Sequence, residues 1–137
     1  MLNYLSNIPL DLAEALYNQG MVFELKGNLE DAIRAYQKTI HIRPYHVMAR
    51  AYLISVFRKI ERSSEADEQE KLARKLLQME HEYNQACFEV VCGNTDKALE
   101  LLKIGLEKEQ STNDWARQDP DSENIRNDPR FKELVGE

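Results

Sequence analysis

AEALYNQGMVFELKGNLEDAIRAYQKTIHIRPYH, residues 13–46, is the stretch whose reading decides the fold. With Leu12 just before it, Leu16, Gln19, Gly20 and Phe23 recur at three- and four-residue steps, the spacing of one helix face. Gly27 stops that helix, because glycine takes the left-handed conformation that closes a helix end. Asn28 is placed to cap the next helix, with Asp31 three residues on in capping-box position. Ala32, Ile33, Tyr36, Ile40 and Ile42 form a second apolar face, and Pro44 ends it. Two amphipathic helices joined by a tight turn are expected. Upstream, residues 1–8 are a lead-in, and Pro9 is placed to open the first helix.

The same signals return downstream. Ala32, Ala66 and Ala98 each start a second helix, 34 and then 32 residues apart. Gly93 and Asn94 repeat Gly27 and Asn28. Tyr83, Asn84, Gln85 and Ala86 repeat Tyr17, Asn18, Gln19 and Gly20 almost residue for residue. The chain thus reads as three units: 13–46, 47–78 and 79–112. The middle one is the least regular. Ile54 stands where a small residue is expected, and no glycine marks its turn, although Ser63 and Ser64 can cap the helix after it. The two missing residues fall between Ala73 and Tyr83. Leu72, Leu76, Met79, Tyr83, Ala86 and Val90 run through that region at helical spacing with no Pro or Gly. One merged helix over residues 64–92 is therefore expected; the alternative is two helices with a tight turn near 79–82.

Leu16, Gln19, Gly20 and Phe23, then Ala32 and Tyr36, then Pro44 resemble the tetratricopeptide repeat, with Leu16 in place of its Trp. The resemblance implies an all-α fold: an α-solenoid, a right-handed superhelix of three repeats within one domain, 1–137. Residues 113–137 look like the short-helix cap that closes some bacterial proteins of this family. The last helix pair of an array leaves an apolar face bare, and Trp115, Ile125, Phe131 and Leu134 are expected to cover it. Asp119 and Asp128, each before a proline, are expected N-caps.

Composition narrows the function. Net charge is −6, which argues against a dedicated nucleic-acid binder, since such proteins normally show a basic stripe. No run approaches the roughly 18 apolar residues of a membrane span, and the N-terminal stretch lacks the basic head of a signal peptide. Cys87 and Cys92 make no disulfide framework and point to a reducing, cytoplasmic setting. Five residues apart on a helix, they sit about 140° around its axis and share no face.

No catalytic constellation is present. There is no phosphate-binding glycine loop, no nucleophile elbow, and no metal-ligand spacing among His41, His46, His81 and the cysteines. No cofactor is expected. Arg58, Lys59 and Arg62 lie at a helix end, where they complement the helix dipole, and the acidic run 65–70 opens the next helix.

In the tetratricopeptide family the first helix of each repeat lines a concave groove that holds a partner segment. Matching helix faces, the resemblance implies Glu14, Tyr17, Met21 and Glu24 from the first unit. The second supplies Met48, Ala51, Ser55, Arg58 and Lys59, and the third Glu80, Tyr83, Cys87 and Val91. Chaperone-binding members clamp a terminal carboxylate with Lys and Asn; Tyr17 and Met21 stand at those sites here, so that role is disfavoured. The expected partner is a protein, through a peptide or an amphipathic helix. The alternative is self-association, as a homodimer, through the groove or through Leu2, Tyr4, Leu5 and Ile8.

Overall fold

The computed structural model describes residues 2–136, with side chains described from residue 12 on. The chain divides into two compact units, residues 1–73 and 74–137. Among the described residues every regular element is helical.

The first unit contains α1 (Leu2–Leu25), α2 (Leu29–Ile42) and α3 (Val47–Lys59); the boundary falls within α4 (Ser63–Leu77). α1 begins well before Pro9, so the expected helix start there is wrong. A proline removes one backbone donor, and residues 2–8 hold no glycine to end the helix. The edge formed by Leu2, Tyr4, Leu5 and Ile8 lies outside the described side chains.

α1 and α2 pack closely because Gly20 has no side chain. A Cβ there would stand 2.5 Å from Tyr36 Cε1. Tyr36, Ala32, Leu53, Ile54, Val56 and Phe57 are among the side chains sealed from solvent in this unit. Ile54 is thus accommodated in the core although a small residue was expected.

The expected cap at Asn28 does not form. Its side chain makes no capping hydrogen bond. Its backbone N–H instead donates to Phe23 O at 2.9 Å, across Gly27 at φ +79°. This six-to-one closure fixes the turn from behind. It recurs where no glycine stands. Arg62 N donates to Phe57 O at 2.8 Å across Glu61, held at φ 61°.

The second unit contains α5 (Glu82–Val91), α6 (Thr95–Glu107), α7 (Asn113–Gln118), a 3₁₀ helix (Pro120–Ile125) and α8 (Pro129–Val135). The merged helix over 64–92 is not observed: α4 ends at Leu77 and α5 starts at Glu82. The ends are held by polar side chains in place of a Gly or Pro. Gln85 Nε2 donates to Leu77 O at 3.2 Å and to Glu80 O at 2.8 Å. His81 Nδ1 accepts from Asn84 N at 3.2 Å, and Gln110 Oε1 accepts from Tyr83 N at 2.9 Å. α5 crosses α6 closely at Gly105, where a Cβ would lie 2.9 Å from Tyr83 N.

At the C-terminal end Ile125 and Phe131 are buried as expected, and Leu134 is half-buried. Trp115 is not: it is 49% exposed, while Ala116 beside it is sealed. Thr112 Oγ1 accepts from Trp115 N at 3.1 Å, and the short helix that starts there turns Ala116 inward. Val135, one turn after Phe131, takes the other inner place.

Candidate functional site

In the first unit, α1 and α3 present a patch of rings. Tyr17 lies 4.5 Å from the His46 ring, 6.0 Å from Tyr52 and 6.2 Å from Tyr36, centre to centre. Tyr36 and Tyr52 stack at 6.0 Å with 23° between their planes. Tyr36 is sealed; Tyr17, Tyr52 and His46 are half-buried. Offset and edge contacts at these separations are the favourable geometries for aromatic pairs.

Two polar systems hold the patch at its edges. On one side, Glu14 Oε1 accepts from Arg43 Nη1 at 2.7 Å and contacts His46 Nε2 at 3.1 Å. His46 Nδ1 accepts from Ala49 N at 3.1 Å, capping α3. A ring nitrogen that accepts carries no proton, so Nε2 is the protonated one and donates to Glu14. Burial pulls the His46 imidazole below the usual histidine range; Glu14 opposes this and Arg43 adds to it. On the other side, Tyr36 Oη donates to Glu24 Oε1 at 2.6 Å, and Lys59 Nζ lies 3.6 Å from Glu24 Oε2. One carboxylate thereby ties α1, α2 and α3 together.

The sequence-expected site residues divide. Glu14, Tyr17 and Glu24 of α1 and Lys59 of α3 come together around the rings, and Met21, Met48 and Ser55 are half-buried. Ala51 is fully buried and faces the core. Arg58 parts from Lys59 and turns to α4, pairing with Glu70 at 2.6 Å and Asp67 at 3.2 Å. Neighbours on a helix point about 100° apart, so the two cations serve different partners. Sequence reasoning missed Tyr52 and His46. Tyr52 lies four residues after Met48, which was enough to place it beside the expected lining.

In the second unit Tyr83 and Cys87 lie under cover, 5% and 7% exposed. Tyr83 Oη donates to Asp119 Oδ2 at 2.7 Å, and Cys87 Sγ stands 3.8 Å from the same oxygen. The 3₁₀ helix after Asp119 packs on α5. Val91 is buried, and Glu80 accepts from Asn84 Nδ2 at 3.2 Å. Burial and Asp119 push the Tyr83 hydroxyl and the Cys87 thiol well above their usual ranges. Cys87, Asp119 and Asp121 bring ligand-type atoms within 4.8 Å of one another. Asp119 is already committed there, through Oδ2 to Tyr83 and through Oδ1 to Asp121 N at 2.9 Å.

Residues 13–46, which form the α1–α2 hairpin with its Gly20–Tyr36 contact, match the family model of the tetratricopeptide repeat. The chain carries a tetratricopeptide repeat. Repeats of this family are in general protein–protein interaction modules and typically non-catalytic. Searches of curated proteins and of solved structures each returned no match. No helix among the described residues is long and apolar enough to cross a membrane.

Proposed function

We propose that this chain is a scaffold or assembly adaptor that holds a peptide or helix of a partner protein on the α1–α3 face of its first unit. The half-buried rings of Tyr17, Tyr52 and His46 over sealed Tyr36 carry this reading. Tyrosine is enriched among the residues that dominate binding energy. Rings fixed beforehand by Glu14 and Glu24 lose little freedom when a partner arrives. Met21 and Met48 beside them are adaptable apolar contacts. In this reading α1–α2, α3–α4 and α5–α6 are three repeats of one domain, and residues 113–137 cap them. Tyr83 and Cys87 of α5 already face the Asp119 carboxylate, which supports the first unit as the binding end. Cys87 and Cys92, neither in a disulfide, fit a reducing compartment such as the cytoplasm.

A photoreactive amino acid at position 52, compared with one at position 103, tests this in cells. A discrete heterologous adduct from position 52 and none from 103 is expected. Adducts of equal yield from both positions, or a dimer of the chain itself from 52, overturn the reading.

A further inference from the structure

A second surface lies on the other side of the α1–α2 pair. Leu12, Leu16 and Ile42 floor an open trough of about 520 Å3, and Arg34, Lys38 and His41 stand along its α2 wall. At 100° per residue, Leu12 and Leu16 lie roughly 140° around α1 from the stripe of Glu14, Tyr17, Met21 and Glu24. The trough is therefore separate from the aromatic face, and its occupant is independent of any partner held on those rings.

Its chemistry is out of keeping with the rest of the chain. Net charge is −6, yet among the described residues no carboxylate lines this trough. Arg34 reaches back to Asp31, and Lys38 has no ion-pair partner among the described residues. The floor is apolar and open: Leu12 is 50% exposed. Arg34 and His41 are seven residues apart, about two helical turns or 10 Å along α2. A surface of this length, apolar below and cationic along one wall, matches a helix with an apolar stripe flanked by carboxylates. The trough is recessed between two helices, whereas a bilayer is engaged by apolar side chains that protrude.

We propose that the α1–α2 trough docks an acidic amphipathic helix of a partner protein. The apolar stripe of that helix lies on Leu12, Leu16 and Ile42, and its carboxylates meet Arg34 and Lys38.

The test pans the full chain against a display library of helices about 16 residues long, with a fixed apolar stripe and randomised flanks. Asp and Glu are expected to enrich in the flanks. The variant Arg34→Glu/Lys38→Glu changes two exposed positions, and circular dichroism checks its fold. It is expected to shift enrichment to Lys and Arg. The selected acidic peptide, read by fluorescence anisotropy, is expected to bind the variant roughly tenfold more weakly. Lys38→Glu alone is expected to weaken binding in the same direction. No enrichment, or enrichment unchanged by charge reversal, overturns the proposal. So does self-association in sedimentation that the reversal abolishes, which assigns the trough to a second copy. So does reversal-sensitive binding to phosphatidylserine vesicles, which assigns it to a membrane.

Discussion

Arg74 on α4 and Glu89 on α5 meet in a two-point ion pair, Nη1 to Oε2 at 3.0 Å and Nη2 to Oε1 at 3.1 Å. Glu89 is 4% exposed and also accepts from Asn94 Nδ2 at 2.8 Å; Arg74 lies over the Phe88 ring. The pair fastens the end of α4 to the side of α5, where an uninterrupted helix would have carried the two residues apart. Both sit in the same compact unit.

The two partners differ in access to water, so removing each has a different cost. The Arg74 side chain is 38% exposed and the Glu89 side chain 6%. Arg74→Met leaves a buried carboxylate without its cation. We expect a loss of about 2 kcal/mol, reduced from the fully buried case because Arg74 reaches solvent. Glu89→Gln leaves a cation that can turn to water, and about 1 kcal/mol is expected. Urea unfolding of the two variants checks the order. Equal costs would mean that Glu89 is better solvated than its burial indicates.

Glu61 closes the α3–α4 turn in the left-handed conformation, φ 61°, the part that Gly27 and Gly93 play in the α1–α2 and α5–α6 turns. A side chain in that conformation costs about 1–2 kcal/mol, and glycine returns part of the gain as unfolded-state freedom. Glu61→Gly is therefore expected to raise stability by about 0.5–1 kcal/mol. Gly93→Ala is expected to lower it by about 1 kcal/mol, for backbone reasons alone, since no atom lies within 4 Å of the added Cβ. Thermal midpoints read both, and a destabilised Glu61→Gly would contradict the shared turn geometry.

His46 couples the cap of α3 to pH. Its folded pKa lies below the unfolded value of 6.5. The unfolded chain therefore takes up a proton first as pH falls. Stability at this site is intact above the unfolded pKa, declines as pH drops below 6.5, and levels off once pH passes the folded value. The groups facing the ring are Glu14 of α1, which opposes the shift, Arg43 before α3, which adds to it, and the Tyr17 ring. His46→Asn keeps a capping side chain without the titration. Urea midpoints of wild type are expected to fall between pH 7.5 and pH 5 by more than those of the variant. Parallel curves would mean that His46 does not link stability to pH.

Much of the fold was legible because local chemistry repeats. Gly20 against Tyr36, the left-handed Gly27 and Gly93, and the alanine spacing each follow from one short stretch. The break between α4 and α5 was not legible. It is made by Gln85, Gln110 and His81, polar residues whose capping role depends on which chain segments meet them in space. The turn before Ser63 and Ser64 was legible, but its left-handed residue, Glu61, was not, because no glycine marks it. The candidate site was half legible. Helical spacing grouped Glu14, Tyr17 and Glu24, but helix phase alone could not show that Arg58 and Lys59 part company. Nor could it show that Asp119, more than thirty residues away in the chain, covers Tyr83 and Cys87.

The claim that the α1–α3 rings are the partner site is tested most directly by the affinity of the position-52 adduct partner for Tyr17→Ala/Tyr52→Ala. Tyr36 remains in place to keep α1 and α2 packed. If the rings hold the partner, affinity falls by about tenfold or more with an unchanged circular dichroism spectrum. An unchanged affinity in a folded double variant would contradict the claim.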